Sequence, residues 1–294
     1  MAARDVDVRQ IIASIGGLPP GGAESAVDLR DCTAEVTMLE KDDVEIVNEP
    51  AAVSGWIDGV EASLPLTWVS QRMLLLSWVA AGSATTSGVG GHVDQTMWIG
   101  CSFEDAAVAN SIAYGAEVMT VNETDPIGVR LALRKQLGDE RELAERAVCS
   151  KLLKEDEQEG LIICDGPIVA RTNSERVCGV VKSHATQYFE DNRQLYGLRP
   201  GWRSPAFEIK SKGKARYSCY VRLQDAETKW WDFGLVRLET FNPKVLDGLA
   251  AVVLRERQVL GSKDGRWDRH LATVRYVEDW LRQIRPTVFS AHRR

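Results

Sequence analysis

Gly160-Leu161-Ile162-Ile163-Cys164-Asp165-Gly166-Pro167 is the stretch that decides the fold. Four apolar residues in a row, without polar alternation, predict a strand covered on both faces. Gly166-Pro167 stops it. The strand therefore lies inside a sheet and delivers a carboxylate, Asp165, at its C-terminal end. Strand ends of this kind form ligand crevices in open sheets.

Working outward, Val177 to Lys182 repeats the pattern and ends on a base. Upstream, Asp139 to Glu157 predicts a helix, with Leu143, Ala147, Val148, Leu152 and Leu153 on one stripe. Glu104 to Ile112 and Val129 to Gln136 also have helical spacing. Farther upstream, Val53 to Ile57, Leu64 to Val69 and Arg72 to Ala81 predict a three-strand meander. Asp58-Gly59 stands at the end of its first strand. Ser83 to His92 reads as a Gly/Ser/Thr-rich loop and Gln95 to Cys101 as a fourth strand. Downstream, His184 to Leu195 reads as helix, and Ala206 to Lys210, Arg216 to Leu223 and Phe233 to Phe241 as strands. Val245 to Leu260 and Arg266 to Ile284 read as two closing helices. This order predicts a mixed α/β fold around one central sheet. Residues 1–45, with a short helical segment Val6 to Ile15 and a strand near Thr33 to Leu39, read as an N-terminal arm. Residues 46–294 form the main domain.

The two Asp-Gly dipeptides are common turn signals taken singly. Together, each after an apolar strand, they predict that Asp58 and Asp165 converge. Two nearby carboxylates repel unless one is protonated or a cation lies between them, and a hard divalent ion with oxygen ligands suits such a site. The reading requires that the acids share a pocket and that no lysine or arginine fills it.

The net charge of -6 argues against a general basic coat for gripping phosphates. The six cysteines form no C-x-x-C pair and the four histidines no H-x-x-x-H pair, which argues against a structural zinc site and for reduced, buried thiols in a cytoplasmic protein. The N-terminus shows no apolar signal segment. The longest apolar run, Met73 to Gly82, is about half of a membrane span.

From Gly55-Trp-Ile-Asp58-Gly59-Val through Asp165-Gly-Pro-Ile to Val177-Cys-Gly-Val-Val-Lys182-Ser-His184, the order and separation of motifs resembles the NurA nuclease family over residues 50–245. The resemblance implies an RNase H-like mixed central sheet flanked by helices, and a DNA nuclease using Mn2+ or Mg2+. It implies Asp58, Glu145 and Asp165 as metal ligands, with Glu142 as the substitute for Glu145. Lys182 would face the scissile phosphate. It further implies a homodimer docked on a HerA-like hexameric ATPase, in DNA repair or anti-phage defence. The family's further acid or histidine has candidates in Glu239 and His292. The basic-aromatic loop Arg199, Trp202 and Arg203, with His184, is the candidate nucleic-acid contact, and Trp230-Trp231 a candidate hairpin anchor or interface patch. The rival readings are a catalytically weak adaptor that binds a translocase, an enzyme acting on RNA or hybrids, and a small-molecule hydrolase using the same acids.

Overall fold

The computed structural model describes residues 30–289 except 32–33, 48, 70, 86, 114, 156–158, 169–171, 173, 185, 190–192, 212–213, 226–231 and 258–268. In chain order the strands are β1 (Arg30–Asp31), β2 (Glu35–Met38), β3 (Val44–Glu45), β4 (Val53–Val69), β5 (Arg72–Thr85), β6 (Gly88–Ser102), β7 (Glu117–Val121), β8 (Leu161–Asp165), β9 (Val177–Val181), β10 (Thr186–Gln187), β11 (Trp202–Arg203), β12 (Phe207–Ser211), β13 (Lys214–Arg222) and β14 (Leu235–Thr240). The helices are α1 (Ala106–Ser111), α2 (Pro126–Glu155), α3 (Arg193–Tyr196), α4 (Leu246–Glu256) and α5 (Ala272–Ile284).

One mixed sheet of twelve strands holds the molecule together, in the order β2-β12-β13-β14-β9-β8-β4-β5-β6-β7, with β11 and β3 branching from β13. β4, β5 and β6 form an antiparallel meander. The chain then crosses through α2 and returns as β8, parallel to β4, and β9, parallel to β8. The sequence reading of a mixed α/β sheet with a buried strand at Leu161 to Asp165 agrees with this arrangement, and all four apolar residues of that strand are buried.

Four expectations change. First, the strands expected at Val53 to Ile57 and Leu64 to Val69 are one 17-residue strand, so Asp58 lies within β4 and not at its end. Second, the glycine-rich stretch 83–92 is largely strand. Its glycines make room for Trp280 on α5: a Cβ at Gly82 would lie 2.7 Å from the Trp280 ring and one at Gly90 3.1 Å from it. Third, the two helices expected between Val129 and Glu157 are a single 30-residue helix running through Gly138. Asp125 caps it, its Oδ1 accepting from the backbone N–H of Ile127 and Gly128. Fourth, the helix expected from His184 is confined to Arg193–Tyr196.

The sheet has an apolar layer on each face. Under α2, Val129, Leu133, Leu137, Ala144, Val148, Cys149 and Leu152 pack on Ile57, Val79, Ile162 and Cys164. These residues recur at the helical spacing of one buried face. The buried stripe runs through Ala144 and not Leu143, which is 41% exposed. On the opposite face α4 and the start of α5 cover Trp56, Ile163, Val180 and Leu238, while Val277 and Leu281 of α5 seat on Trp78, Ala80 and Ala84. Each fully buried aliphatic chain contributes roughly 1.5–3 kcal/mol.

Where β4 meets β8 the register slips by one residue: Val53 pairs with Leu161, but Gly55, not Ser54, pairs with Ile162. The extra residue, Ser54, is a bulge. Arg176 pins it, donating from Nη2 to Ser54 Oγ at 3.3 Å and from Nε to the Gly160 carbonyl at 3.0 Å. Two strands of the N-terminal segment join the same sheet, β2 against β12 and β3 against β11, while β1 pairs in parallel with β10 in a separate two-stranded sheet. Among the described residues, no helix is long and apolar enough to cross a membrane.

Candidate active site

The parallel register continues from Ile57 beside Cys164, so the next step sets Asp58 beside Asp165. Ile57 and Cys164 point into the layer under α2. By strand alternation Asp58 and Asp165 point to the other face, where α5 crosses β4. They line a cavity of about 370 Å³. Lys182, one residue beyond β9, enters it as well, and the wall is formed by His270, Arg275, Glu278, Arg282 and Arg285 from the C-terminal segment. The floor is acidic and much of the wall is basic.

Asp58 is 5% exposed. Burial pushes its carboxyl well above the usual range and repulsion from Asp165 adds to this, while the Lys182 ammonium pulls it back. Its Oδ1 accepts the Gly59 N–H at 2.8 Å. Lys182 Nζ lies 2.7 Å from Asp165 Oδ1. The two acids therefore converge as expected, but a lysine already neutralises one of them.

Glu145 reaches the strand from the α2 side. Its Oε1 would lie 2.4 Å from a Cβ at residue 59, so only glycine lets helix and strand approach this closely. There it pairs with Arg141 at 2.8 Å. Burial raises its pKa to about 7 against the opposing pull of Arg141. Glu145 thus sits on the opposite side of β4 from the Asp58 side chain. Glu142 points outward and pairs with Arg146 at 3.3 Å. Among the described residues, no three His, Cys, Asp or Glu side chains are arranged to hold one metal ion.

All four of the expected nucleic-acid contacts, Arg199, Trp202, Arg203 and His184, lie elsewhere. Arg203 is 3% exposed and spans Glu40, at 2.5 and 2.9 Å, and Asp247, at 2.6 Å. This use of its guanidinium is structural and keeps it from a phosphate. Arg199 lies over the Trp202 ring at 5.7 Å. His184 is packed against Tyr220 and bonds the Leu235 carbonyl at 2.8 Å. Burial, reinforced by Arg269, pushes its pKa down to about 3, so it is a neutral interior ring and not a surface cation. None of these residues lines the cavity. Glu239 is fully buried, bonded to the Ile168 N–H, Arg216 and Arg237. His292 and Trp230-Trp231 lie outside the described residues. The five described cysteines are free and buried.

The sequence reading missed the cavity wall. The charged stripe of α5 reads as a solvated face, and only the crossing of α5 over β4 turns Arg275, Glu278 and Arg282 toward the acids.

No protein-family model and no curated protein sequence matches the chain. Among solved structures it is similar to the NurA nuclease from Sulfolobus solfataricus, at 12% identity, over 72% of this chain and 76% of that one, with a TM-score of 0.36. A likeness this distant equates no residue of the two chains.

Proposed function

We propose that this chain is a divalent-metal-dependent nuclease acting on DNA ends or single strands. The observation that carries the reading is the Asp58–Asp165 pair at the floor of a cavity walled by arginines. An acidic floor suits a cation and a basic wall suits a phosphodiester. The strand order β6-β5-β4-β8-β9, three antiparallel then two parallel, supports an RNase H-like core. A cavity of about 370 Å³ suits a nucleotide-sized ligand and is too narrow for a duplex, which favours ends and single strands.

The chemistry of the donor set fits a metal in part. Asp58 and Asp165 would hold Mn2+ or Mg2+; burial and Asp165 hold the Asp58 carboxyl above its usual range, so added positive charge favours its carboxylate form. Lys182 marks the place where that charge is favoured, since its ammonium acts on both acids. Glu145 would join only on leaving Arg141. A bound divalent ion supplies a water acidified toward neutral pH and charge relief on the phosphate. The chain's own contributions are the acids that orient the cation, Lys182 to offset charge on the phosphate, and the α5 wall to hold the strand. DNA as substrate, a homodimer, a HerA-like ATPase partner and a role in repair or defence rest on the family resemblance.

A second reading has its own support. Lys182 on Asp165 and Arg141 on Glu145 are the cations expected in a scaffold that has given up hydrolysis, such as an adaptor for a translocase. Digestion of end-labelled linear and single-stranded DNA in Mn2+ separates the two. For the nuclease, Asp58→Asn and Asp165→Asn abolish cutting and Glu145→Gln leaves more activity than either. No cutting by the wild-type protein with any divalent metal favours the adaptor.

A further inference from the structure

The cavity wall carries more positive charge than its floor needs. Among its described cations, Lys182 is held by Asp165 and Arg141 by Glu145. Arg275 and Arg282 share Glu278 and Asp279, at 2.5 to 3.8 Å. Arg285 differs. It follows the last turn of α5, lines the cavity, and among the described residues no carboxylate or other acceptor meets its guanidinium; its Nε is buried without a hydrogen-bond partner. A buried guanidinium nitrogen left bare costs free energy, which an arriving anion restores. A planar fork of donors suits two oxygens of a phosphate.

We infer that Arg285 is the residue that receives a backbone phosphate of the substrate, seating a single strand between α5 and the acidic floor. The inference rests on the nuclease reading for the identity of the anion. It adds a positioning residue that lies outside every motif of the sequence. The strand enters along the helix wall, and the phosphate held by Arg285 fixes how far it advances toward Asp58 and Asp165.

The test is equilibrium binding of a fluorescent oligothymidylate, followed by anisotropy in EDTA across a salt series, for the wild type, Arg285→Ala and Arg285→Lys. Arg285→Ala is expected to bind roughly tenfold more weakly or worse, with a log-log salt slope shallower by about 0.7, the share of one phosphate contact on a single strand. Arg285→Lys recovers the slope and part of the affinity. Arg285 has no partner within the described fold and its bare nitrogen costs stability, so its removal does not lower the melting temperature, and a matched thermal scan excludes unfolding. Wild-type affinity and slope in Arg285→Ala overturn the inference, as does absence of binding by the wild-type protein. Failure of the wild-type protein to cut end-labelled DNA with any divalent metal overturns the nuclease reading instead, and leaves the Arg285 contact to be judged by its own binding data.

Discussion

Lys182 Nζ and Asp165 Oδ1 lie 2.7 Å apart at the floor of the cavity, Asp165 ending β8 and Lys182 following β9, its hydrogen-bonded neighbour. The ammonium is the local counter-charge for two carboxylates, Asp165 by contact and Asp58 through space. Lys182→Met removes it. In EDTA the variant is expected to lose roughly 1–3 kcal/mol, the cost of a partly buried charge left alone. Added Mn2+ then raises its melting temperature more than that of the wild type, because the metal takes over the counter-charge. Equal metal-induced shifts in thermal scans argue against a cation site between these acids.

Asp58→Asn tests the same site from the acid. Burial and Asp165 raise the folded-state pKa of Asp58, so the folded protein holds that proton more tightly than the unfolded chain, whose Asp titrates near about 3.9. The associated stability is complete below that pH and is lost as pH rises through the folded value. At neutral pH without metal, Asp58→Asn is therefore expected to be the more stable protein, by on the order of 1 kcal/mol. The gap narrows toward pH 4. A variant that melts below the wild type at pH 7 contradicts this.

Arg203→Ala should behave as a structural lesion. Arg203 ties Glu40, in the N-terminal segment, to Asp247, in α4. Breaking a buried ion pair costs about 3–5 kcal/mol, and the half-exposed carboxylates reduce this to roughly 2–3. Urea denaturation measures the loss. DNA affinity measured well below the transition, and its salt slope, should stay as in the wild type.

His184 sets a pH limit on the fold. Its folded pKa of about 3 lies below the unfolded value near about 6.5. The neutral ring's contribution is present above the unfolded value and is lost as pH falls from there toward the folded one. The slope is at most about 1.4 kcal/mol per pH unit. His184→Gln has no proton to take up and should flatten the stability curve between pH 6 and pH 4. Parallel curves for the two proteins refute the assignment.

The strand Leu161–Asp165 was legible because burial on both faces leaves an unbroken apolar run, a pattern with one simple reading. β4 was not, because it is partly exposed from Gly59 onward and carries Gly59 and Pro65, which look like punctuation. Gly59 is glycine for the sake of Glu145, and Gly82 and Gly90 for the sake of Trp280. Sequence alone does not distinguish a glycine that turns the chain from one that admits a neighbour. The two acids were found from strand-end position, which holds for Asp165 and is incidental for Asp58. Arg203 and His184 were misread because exposure was assumed for polar residues in loops, whereas tertiary partners enclosed both. The α5 wall depends on a helix crossing that no local pattern encodes.

The single surplus residue at Ser54 decides the chemistry four positions later. Without that slip, every side chain from Gly55 onward would turn over. Ile57 would face the cavity, and the carboxylate of Asp58 would be pressed into the hydrocarbon beneath α2. A chain of the same length with Ser54 paired in regular register would thus transpose the wet and dry sides of the strand while leaving every acid of the site in the protein.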